Sequence, residues 1–492
     1  MKQKSSYTEI IKGASLFGGV QVINIIIQII RSKVIALLLG PSGIGVMGLF
    51  NSSLGLISSL TNFGLRVSAV KDIAAANGSQ NKQRISITIT ILRRLVWVTG
   101  VLGTLMVLIL SPWLSQLTFG NKDYTFAFIW LSITLLFQQL SIGQLVVLQG
   151  MRKLKLLAKA NVMGSALGLI VTLPLYYIYG LDGIVPGIFV TSLIVLLLSL
   201  YFSSKIKLEF VKVTLRQTYL EGKNMLVMGF FISLSSLVTV GASYIVRVFI
   251  SRIGSVEQVG LYTAGFAIIN TYAGLIFSAM GSDYYPRLSE VSHNNKLCKQ
   301  VVNQQAEIMI LIIAPILITF LVFINWVVIL LYSKQFISLT GMLYWAALGM
   351  FFKAASWSIG FIFLAKGTAK LFFLNELISN IYLLGLNFMG YYYGGLTGLG
   401  VSFLISYILH FIQMYAVTKI KFEFSFEYAF IKIFVVQFSL AIICFLLMNI
   451  ISNTNHYFYG VVLILFSSVY SFRELDKRID LRRIFNNFRR KE

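Results

Sequence analysis

Apolar stretches of about twenty residues follow one another along this chain from residue 13 to residue 473, separated by short polar turns. A helix crosses the hydrocarbon of a bilayer with about 20 such residues. In lipid each backbone N–H and C=O must find its partner inside the protein, so only helices and closed barrels span. The period-2 alternation of barrel strands is absent. The stretches therefore predict an all-α polytopic membrane protein with about fourteen transmembrane helices. They run roughly over 13–39, 43–65, 87–111, 125–149, 157–179, 182–202, 224–251, 258–281, 304–331, 339–365, 370–392, 397–418, 428–451 and 457–473. Composition agrees: 57% of the 492 residues are hydrophobic and 12% are charged, against about 25% charged in a soluble domain.

The formal charge is +24, yet the basic residues lie in short clusters between apolar runs. That pattern is one of membrane topology, and no nucleic-acid partner is expected. Lys71, Lys82 and Arg84, then Arg152, Lys153, Lys155 and Lys159, then Lys366 and Lys370, then Lys419 and Lys421 fall on alternate turns. The opposite turns carry little beyond Lys122, Arg252 and Lys334. Loops rich in Lys and Arg stay in the cytoplasm, which predicts cytoplasmic N- and C-termini. All exterior loops are short, so no domain is expected outside the bilayer. Cys298 and Cys444 stand alone, offering neither a disulfide framework nor a CxxC metal site. No cleavable signal peptide is apparent.

The chain repeats. GLDGIVPGIFVTSLIV from Gly180 matches GLTGLGVSFLISYIL from Gly395, and the same offset of 215 sets GVMGLFNSS at Gly45 beside GLYTAGFAI at Gly260. Gly150 and Gly367 lie near that offset too. With six helices in each half, both halves enter the membrane in the same sense, a parallel repeat. The expected organisation is a six-helix bundle at 1–203, a basic cytoplasmic connector at 204–223 and a second six-helix bundle at 224–418. Two further helices at 419–473 and a basic tail at 474–492 follow.

Particular stretches resemble a known family. KGASLF at Lys12–Phe17, SKVIALLLGPSGIGVMGLF at Ser32–Phe50, TNFGLRVSAVKDIA at Thr61–Ala74 and LQGMRKLKLLAKANVMGS at Leu148–Ser165 are similar to the O-antigen and polysaccharide flippases. These are Wzx-type members of the multidrug/oligosaccharidyl-lipid/polysaccharide exporter superfamily. GLYTAGFAIINTYAGLIFSAMGSDYYPRLSEV continues the likeness in the second half, and the whole covers about residues 12–420. Asn62 stands where relatives often carry Asp, which bears on any coupling carboxylate there. The resemblance implies movement of an undecaprenyl-diphosphate-linked oligosaccharide between leaflets of the bacterial inner membrane by alternating access. It implies no bond-making chemistry, no catalytic residue and no cofactor or metal. As partners it implies the lipid-linked oligosaccharide, membrane lipids, a coupling cation (proton or sodium), and polysaccharide polymerase and chain-length proteins. Alternatives are a lipid-linked peptidoglycan precursor flippase or a cation-coupled drug exporter of the same superfamily. A membrane glycosyltransferase or polymerase fits less well, since the exterior loops leave no room for a catalytic domain.

An ionisable side chain inside a membrane costs about 2.5–3.5 kcal/mol on insertion scales and so needs a reason. Arg31 follows Lys12 by nineteen positions, roughly 28 Å along a helix, which puts Arg31 and Lys33 in the outer part of the first helix. Arg247 takes the near-equivalent place in the seventh. Lys353 lies roughly 20 Å from Lys366, close to midplane. A diphosphate headgroup would need such cations, with Arg as a planar fork and Lys as a point charge. Lys353, Arg247, Arg31 and Lys33 are thus the candidate substrate-binding residues. Snorkelling to outer headgroups is the competing reading for Arg31, Lys33 and Arg247. Asp283, Glu307 and Glu376 near helix ends, and His410 within the twelfth helix, are weaker candidates for ion coupling. Pro174 and Pro315 are candidate bends. Asn24, Gln28, Gln138, Gln139, Asn270 and Asn387 suit sugar hydroxyls or interhelix contacts equally.

Overall fold

The structure, a computed structural model, describes residues 2–79, 81–206, 209, 211–450 and 455–479. The side chain of Asp283 and the tail beyond 479 lie outside the described residues. Among those described there is helix and no strand. In the first part of the chain come α1 (Lys2–Thr61), α2 (Leu65–Gly78), α3 (Lys82–Phe119), α4 (Thr125–Gly150), α5 (Leu154–Tyr179), α6 (Ile184–Ser203) and α7 (Leu215–Ile253). There follow α8 (Val256–Glu290), α9 (Asn295–Val322), the short α10 (Ile324–Leu331), α11 (Thr340–Ala365), α12 (Ala369–Phe422), α13 (Tyr428–Ile450) and α14 (Asn455–Ile479).

Ten helical stretches among the described residues are long and apolar enough to cross a membrane, and three of them, 39, 50 and 53 residues long, are both longer than a single crossing and broken within. At 1.5 Å per residue even the shortest of the three spans about 58 Å. Each contains a glycine in a left-handed conformation: Gly40 (φ 65°) in α1, Gly180 (φ 55°) between α5 and α6, and Gly395 (φ 54°) in α12. A side chain would strain the backbone there, and Pro41 after Gly40 offers no N–H to carry the helix across. Each long stretch therefore folds into two crossings. With α8, 35 residues long, the count is consistent with the fourteen expected. The helices run on through Pro174 and Pro315; the sharp breaks fall at the glycines.

The repeat is visible in the backbone. Thr125 and Thr340 open α4 and α11, and Leu154 and Ala369 open α5 and α12, each pair 215 positions apart. Between them, Met151, Arg152 and Lys153 donate to the carbonyls of Val147, Gln149 and Leu148, and Lys366, Gly367 and Thr368 donate to those of Ile362, Leu364 and Phe363. The turn is the same at an offset of 215, and its left-handed residue is Arg152 (φ 54°) in one half and Gly367 (φ 68°) in the other. The counterpart of Gly367 is thus Arg152. Gly150 serves a close helix contact instead, since a Cβ there would come within 2.6 Å of Ile73 Cγ2 on α2.

By packing, the chain forms two compact units. Met1–Gly260 with Leu331–Ser333 make the first, Leu261–Leu330 with Lys334–Glu492 the second. In the first unit α2 is a short helix where the sequence predicts only a loop. The Asn62 carboxamide oxygen accepts from Gly64 N at 2.8 Å and from Ser233 Oγ on α7 at 2.9 Å. From there Leu65, Ala69, Ile73 and Ala76 bury one helical face against Ile85, Ile89 and Leu92 of α3 and Val146 and Val147 of α4. Asn81 and Thr214 cap α3 and α7 through Arg84 N and Gln217 N, each cap stabilising by about 1 kcal/mol. At the other end of α3, Arg252 donates to the last-turn carbonyls of Gln116 and Leu117, where the helix dipole favours a cation.

α1 and the start of α8 meet within the first unit at glycine. A Cβ on Gly45 would strike the carbonyl of Val256, and one on Gly260 the carbonyl of Pro41. Both partners obey the offset of 215, so the contact is symmetric about the repeat.

The second unit is built around Tyr284, Val302, Ile359, Phe363 and Met414. The Tyr284 hydroxyl donates to Ser358 O at 2.6 Å. Its last helix continues beyond the expected end at 473, because Arg478 pairs with Glu307 of α9 at 2.6 Å and with Glu474 one turn back at 2.6 Å. Glu307 is thereby an interhelix anchor.

Candidate functional site

Lys353 lies half-buried on α11, next to the fully buried Ala354 and Ala355. Its Nζ donates to Asn270 Oδ1 of α8 at 3.1 Å. It also sits 5.2 Å from the ring centroid of Tyr407 and 5.8 Å from that of Phe403 on α12. Each cation–π contact offsets about 0.5–2 kcal/mol of the ammonium's desolvation. An ammonium carries three N–H donors, and one of them meets a side-chain acceptor among the described residues. Lys353 can thus donate to a further anionic oxygen without giving up its existing bond.

The surrounding α12 face is aromatic, with polar groups among the rings. Phe403, Tyr407 and His410 follow one another at helical spacing. His410, whose ring centroid is 6.1 Å from that of Tyr407, is close enough to Lys353 to feel its charge. Its Nδ1 is buried without a hydrogen-bond partner among the described residues. One turn further, Gln413 Nε2 donates to Asn375 Oδ1 at 2.9 Å, which ties the two arms of α12 together. Tyr382, on the first arm, lies within electrostatic reach of Glu376 and Tyr407. Asn270, Lys353, Tyr407 and His410 thus lie together in the second unit, with the Gln413–Asn375 pair one turn further along α12.

The remaining candidate cations lie in the first unit. Arg31 is half-buried on α1 near the buried Tyr176 hydroxyl of α5. Lys33 is half-buried two positions on. Arg247 on α7 donates to both the carbonyl and the hydroxyl of Ser243. Of the polar candidates, Gln139 of α4 donates to Thr99 of α3 at 2.9 Å, and Asn387 accepts from Ser402 at 2.7 Å across the Gly395 break of α12. Sequence reasoning overlooked Arg94, which sits inside α3 and donates to Thr218 of α7 at 2.8 Å. A pair of arginines within a predicted span was the available signal. It also missed the rings around Lys353, although Phe403, Tyr407 and His410 are spaced for one face.

Comparison with known proteins gives this geometry a family. A family model described as polysaccharide biosynthesis protein matches residues 34–340, more than half of the chain. The chain belongs to that family. It is 21% identical over 385 residues to the lipid III flippase of Escherichia coli K12, covering 77% of this chain and 91% of that one. It is 26% identical over 379 residues to a "Putative O-antigen transporter" of Shigella flexneri, covering 75% and 88%. Among solved structures, an inward-facing MATE family multidrug transporter of the MOP superfamily superposes with a TM-score of 0.69 at 17% identity, over 82% of this chain and 94% of that one. The lipid II flippase MurJ, in an inward closed conformation, gives 0.68 at 13% identity over 95% and 99%. This member of the polysaccharide biosynthesis family therefore has the MATE/MurJ-like fold of that superfamily.

Proposed function

We propose that this protein is a flippase that carries a lipid-linked oligosaccharide of a bacterial surface polysaccharide across the inner membrane, from the cytoplasmic to the periplasmic leaflet, by alternating access. The observation that carries the reading is the family match, together with flippase and transporter relatives that align over 88% or more of their own lengths. Those relatives move substrates rather than transform them, which supports transport over catalysis. In this reading Lys353 attracts the diphosphate, with Arg247, Arg31 and Lys33 as further cations along the route. Both termini lie in the cytoplasm, and a proton or sodium gradient supplies the direction. Embedded cations disfavour a cationic drug as substrate, because like charges in a low-dielectric cavity repel.

A second reading has its own support: the MurJ fold accounts for nearly the whole of both chains, which favours a peptidoglycan precursor as cargo. The two cargoes share a polyprenyl diphosphate and differ in the glycan. The test is deletion of this protein in its native cells, followed by analysis of lipid-linked intermediates. Accumulation of a polysaccharide repeat unit on the cytoplasmic leaflet supports the first reading. Accumulation of peptidoglycan precursor supports the second, and unchanged pools of both contradict each of them.

A further inference from the structure

At the end of the first unit opposite the basic turns, a cavity of about 630 Å³ opens between the α3–α4 turn, α4, and the α5–α6 turn with α6. Its volume is in the range of small-ligand pockets. The walls are aromatic. Phe126 and Trp130 meet edge to face at 6.4 Å, and Trp130 and Phe189 at 5.7 Å. Phe126 and Trp130 remain well exposed, 69% and 46%, so a large part of each ring is free of protein contact. The polar groups of the pocket gather on one side: Tyr124 with the carboxylates of Asp123 and Asp182. Burial pushes the Tyr124 phenol up, and the two carboxylates push it the same way, so it stays an O–H donor at neutral pH.

The repeat supplies an independent argument. The positions 215 residues after Asp123 and Asp182 are Ser338 and Thr397, both uncharged. The α5–α6 turn forms again in the second half, with Gly395 in the conformation of Gly180 and Thr397 in place of Asp182, so that turn does not call for its carboxylate, while the counterpart of the α3–α4 turn is a 3-10 helix, Lys334–Leu339. No third metal-ligating side chain joins them among the described residues, which argues against a cation site. Two negative charges also repel a diphosphate or an acidic lipid headgroup. Asp123 and Asp182 are exposed, and an acyl or polyprenyl tail would gain no hydrogen bond from either of them.

We propose that this cavity is a carbohydrate-binding subsite for a neutral sugar ring of the transported oligosaccharide, stacked on Trp130 and Phe126, with its hydroxyls donating to Asp123 and Asp182. An apolar ring face on an aromatic wall with a few placed polar groups gives orientation as well as affinity. Ionised carboxylates accept from several hydroxyls at once, and Tyr124 donates back to one sugar oxygen. The inference rests on the flippase reading for the identity of the sugar's carrier, and its test is separate from transport.

The experiment uses the full-length protein in nanodiscs of uncharged phospholipid. Binding of free glucose, galactose, mannose and N-acetylglucosamine is followed by saturation-transfer NMR, with glucuronate and inorganic diphosphate as anionic probes. At least one neutral sugar is expected to bind. Trp130→Ala and the pair Asp123→Asn with Asp182→Asn should each weaken that binding about tenfold or more, and Trp130→Phe should retain most of it. Should Trp130→Ala fail to fold, the pair Asp123→Asn with Asp182→Asn carries the test by itself, with the same tenfold loss expected. Absence of binding by every neutral sugar, binding indifferent to these substitutions, or preference for the anionic probes overturns the proposal. A protein that binds sugar through Trp130 yet moves no lipid-linked oligosaccharide refutes the flippase reading and leaves the subsite standing.

Discussion

Arg152 holds a left-handed conformation that glycine adopts freely, and its repeat counterpart is a glycine. For a residue with a side chain that conformation costs roughly 1–2 kcal/mol. Arg152→Gly should therefore raise the melting temperature of the detergent-purified protein modestly, and an unchanged or lower value would show that the arginine side chain makes compensating contacts. Lys353 makes a sharper case. Its place along α11, thirteen residues before Lys366, was legible in the sequence, because a helix advances by a fixed 1.5 Å per residue. Its partners were not, since Asn270, Phe403 and Tyr407 come from helices far away in sequence. Removing a charge-assisted hydrogen bond costs about 1.5–3 kcal/mol, so Lys353→Ala should slow export about 10- to 100-fold at normal abundance. Lys353→Arg should retain more, and Lys353→Glu should be worst, as it repels the anion outright. Lys353→Glu with normal export would make the lysine structural. Asp72, on α2, gives a pH-dependent expectation. Burial raises its carboxyl group, while Lys71 and Arg84 act in the opposite direction. A carboxyl raised on folding adds stability below its unfolded value, and that contribution is lost as pH rises through the folded one. Asp72→Asn should thus be at least as stable as the parent at neutral pH and lose part of its gain on acidification, read from thermal unfolding across pH.

Whole helices were the easiest part to foresee, because a run of about twenty apolar residues has few alternatives to spanning. The elements that escaped are those whose reason is tertiary. α2 is too short and polar to cross, and it exists because Asn62 and Gly64 turn the chain and α3 and α4 receive its buried face. The extension of α14 depends on Glu307, about 170 residues earlier, a partner that local periodicity cannot reveal. The glycine crossing of α1 and α8 was visible as a repeated motif, though its backbone contact was not. It also makes an element-scale prediction. Overpacking costs typically 1–3 kcal/mol, so Gly45→Ala or Gly260→Ala should drive the two helices apart. In a background lacking Cys298 and Cys444, a reporter cysteine near that crossing should become more reactive toward a membrane-impermeant thiol reagent. Unaltered reactivity in both variants would mean that the contact does not hold this end of the first unit closed.

At the scale of the molecule, the sequence foreshadowed the all-helical repeat and a family, and comparison confirmed both. The orientation of the termini and the division of labour among Lys353, Arg247, Arg31 and Lys33 belong to the proposal. They rest on the distribution of charge, which depends on a membrane that the chain's own contacts do not contain. The most direct measurement reconstitutes the purified protein in liposomes with a fluorescent polyprenyl-diphosphate oligosaccharide and follows its loss to an external membrane-impermeant quencher. The account predicts transfer between leaflets well above that in protein-free liposomes, slowed by Lys353→Glu and absent for the same glycan on a carrier lacking the diphosphate. Transfer no faster than in empty liposomes, with the protein shown to be folded and incorporated and with both diphosphate-linked cargoes tried, would contradict it.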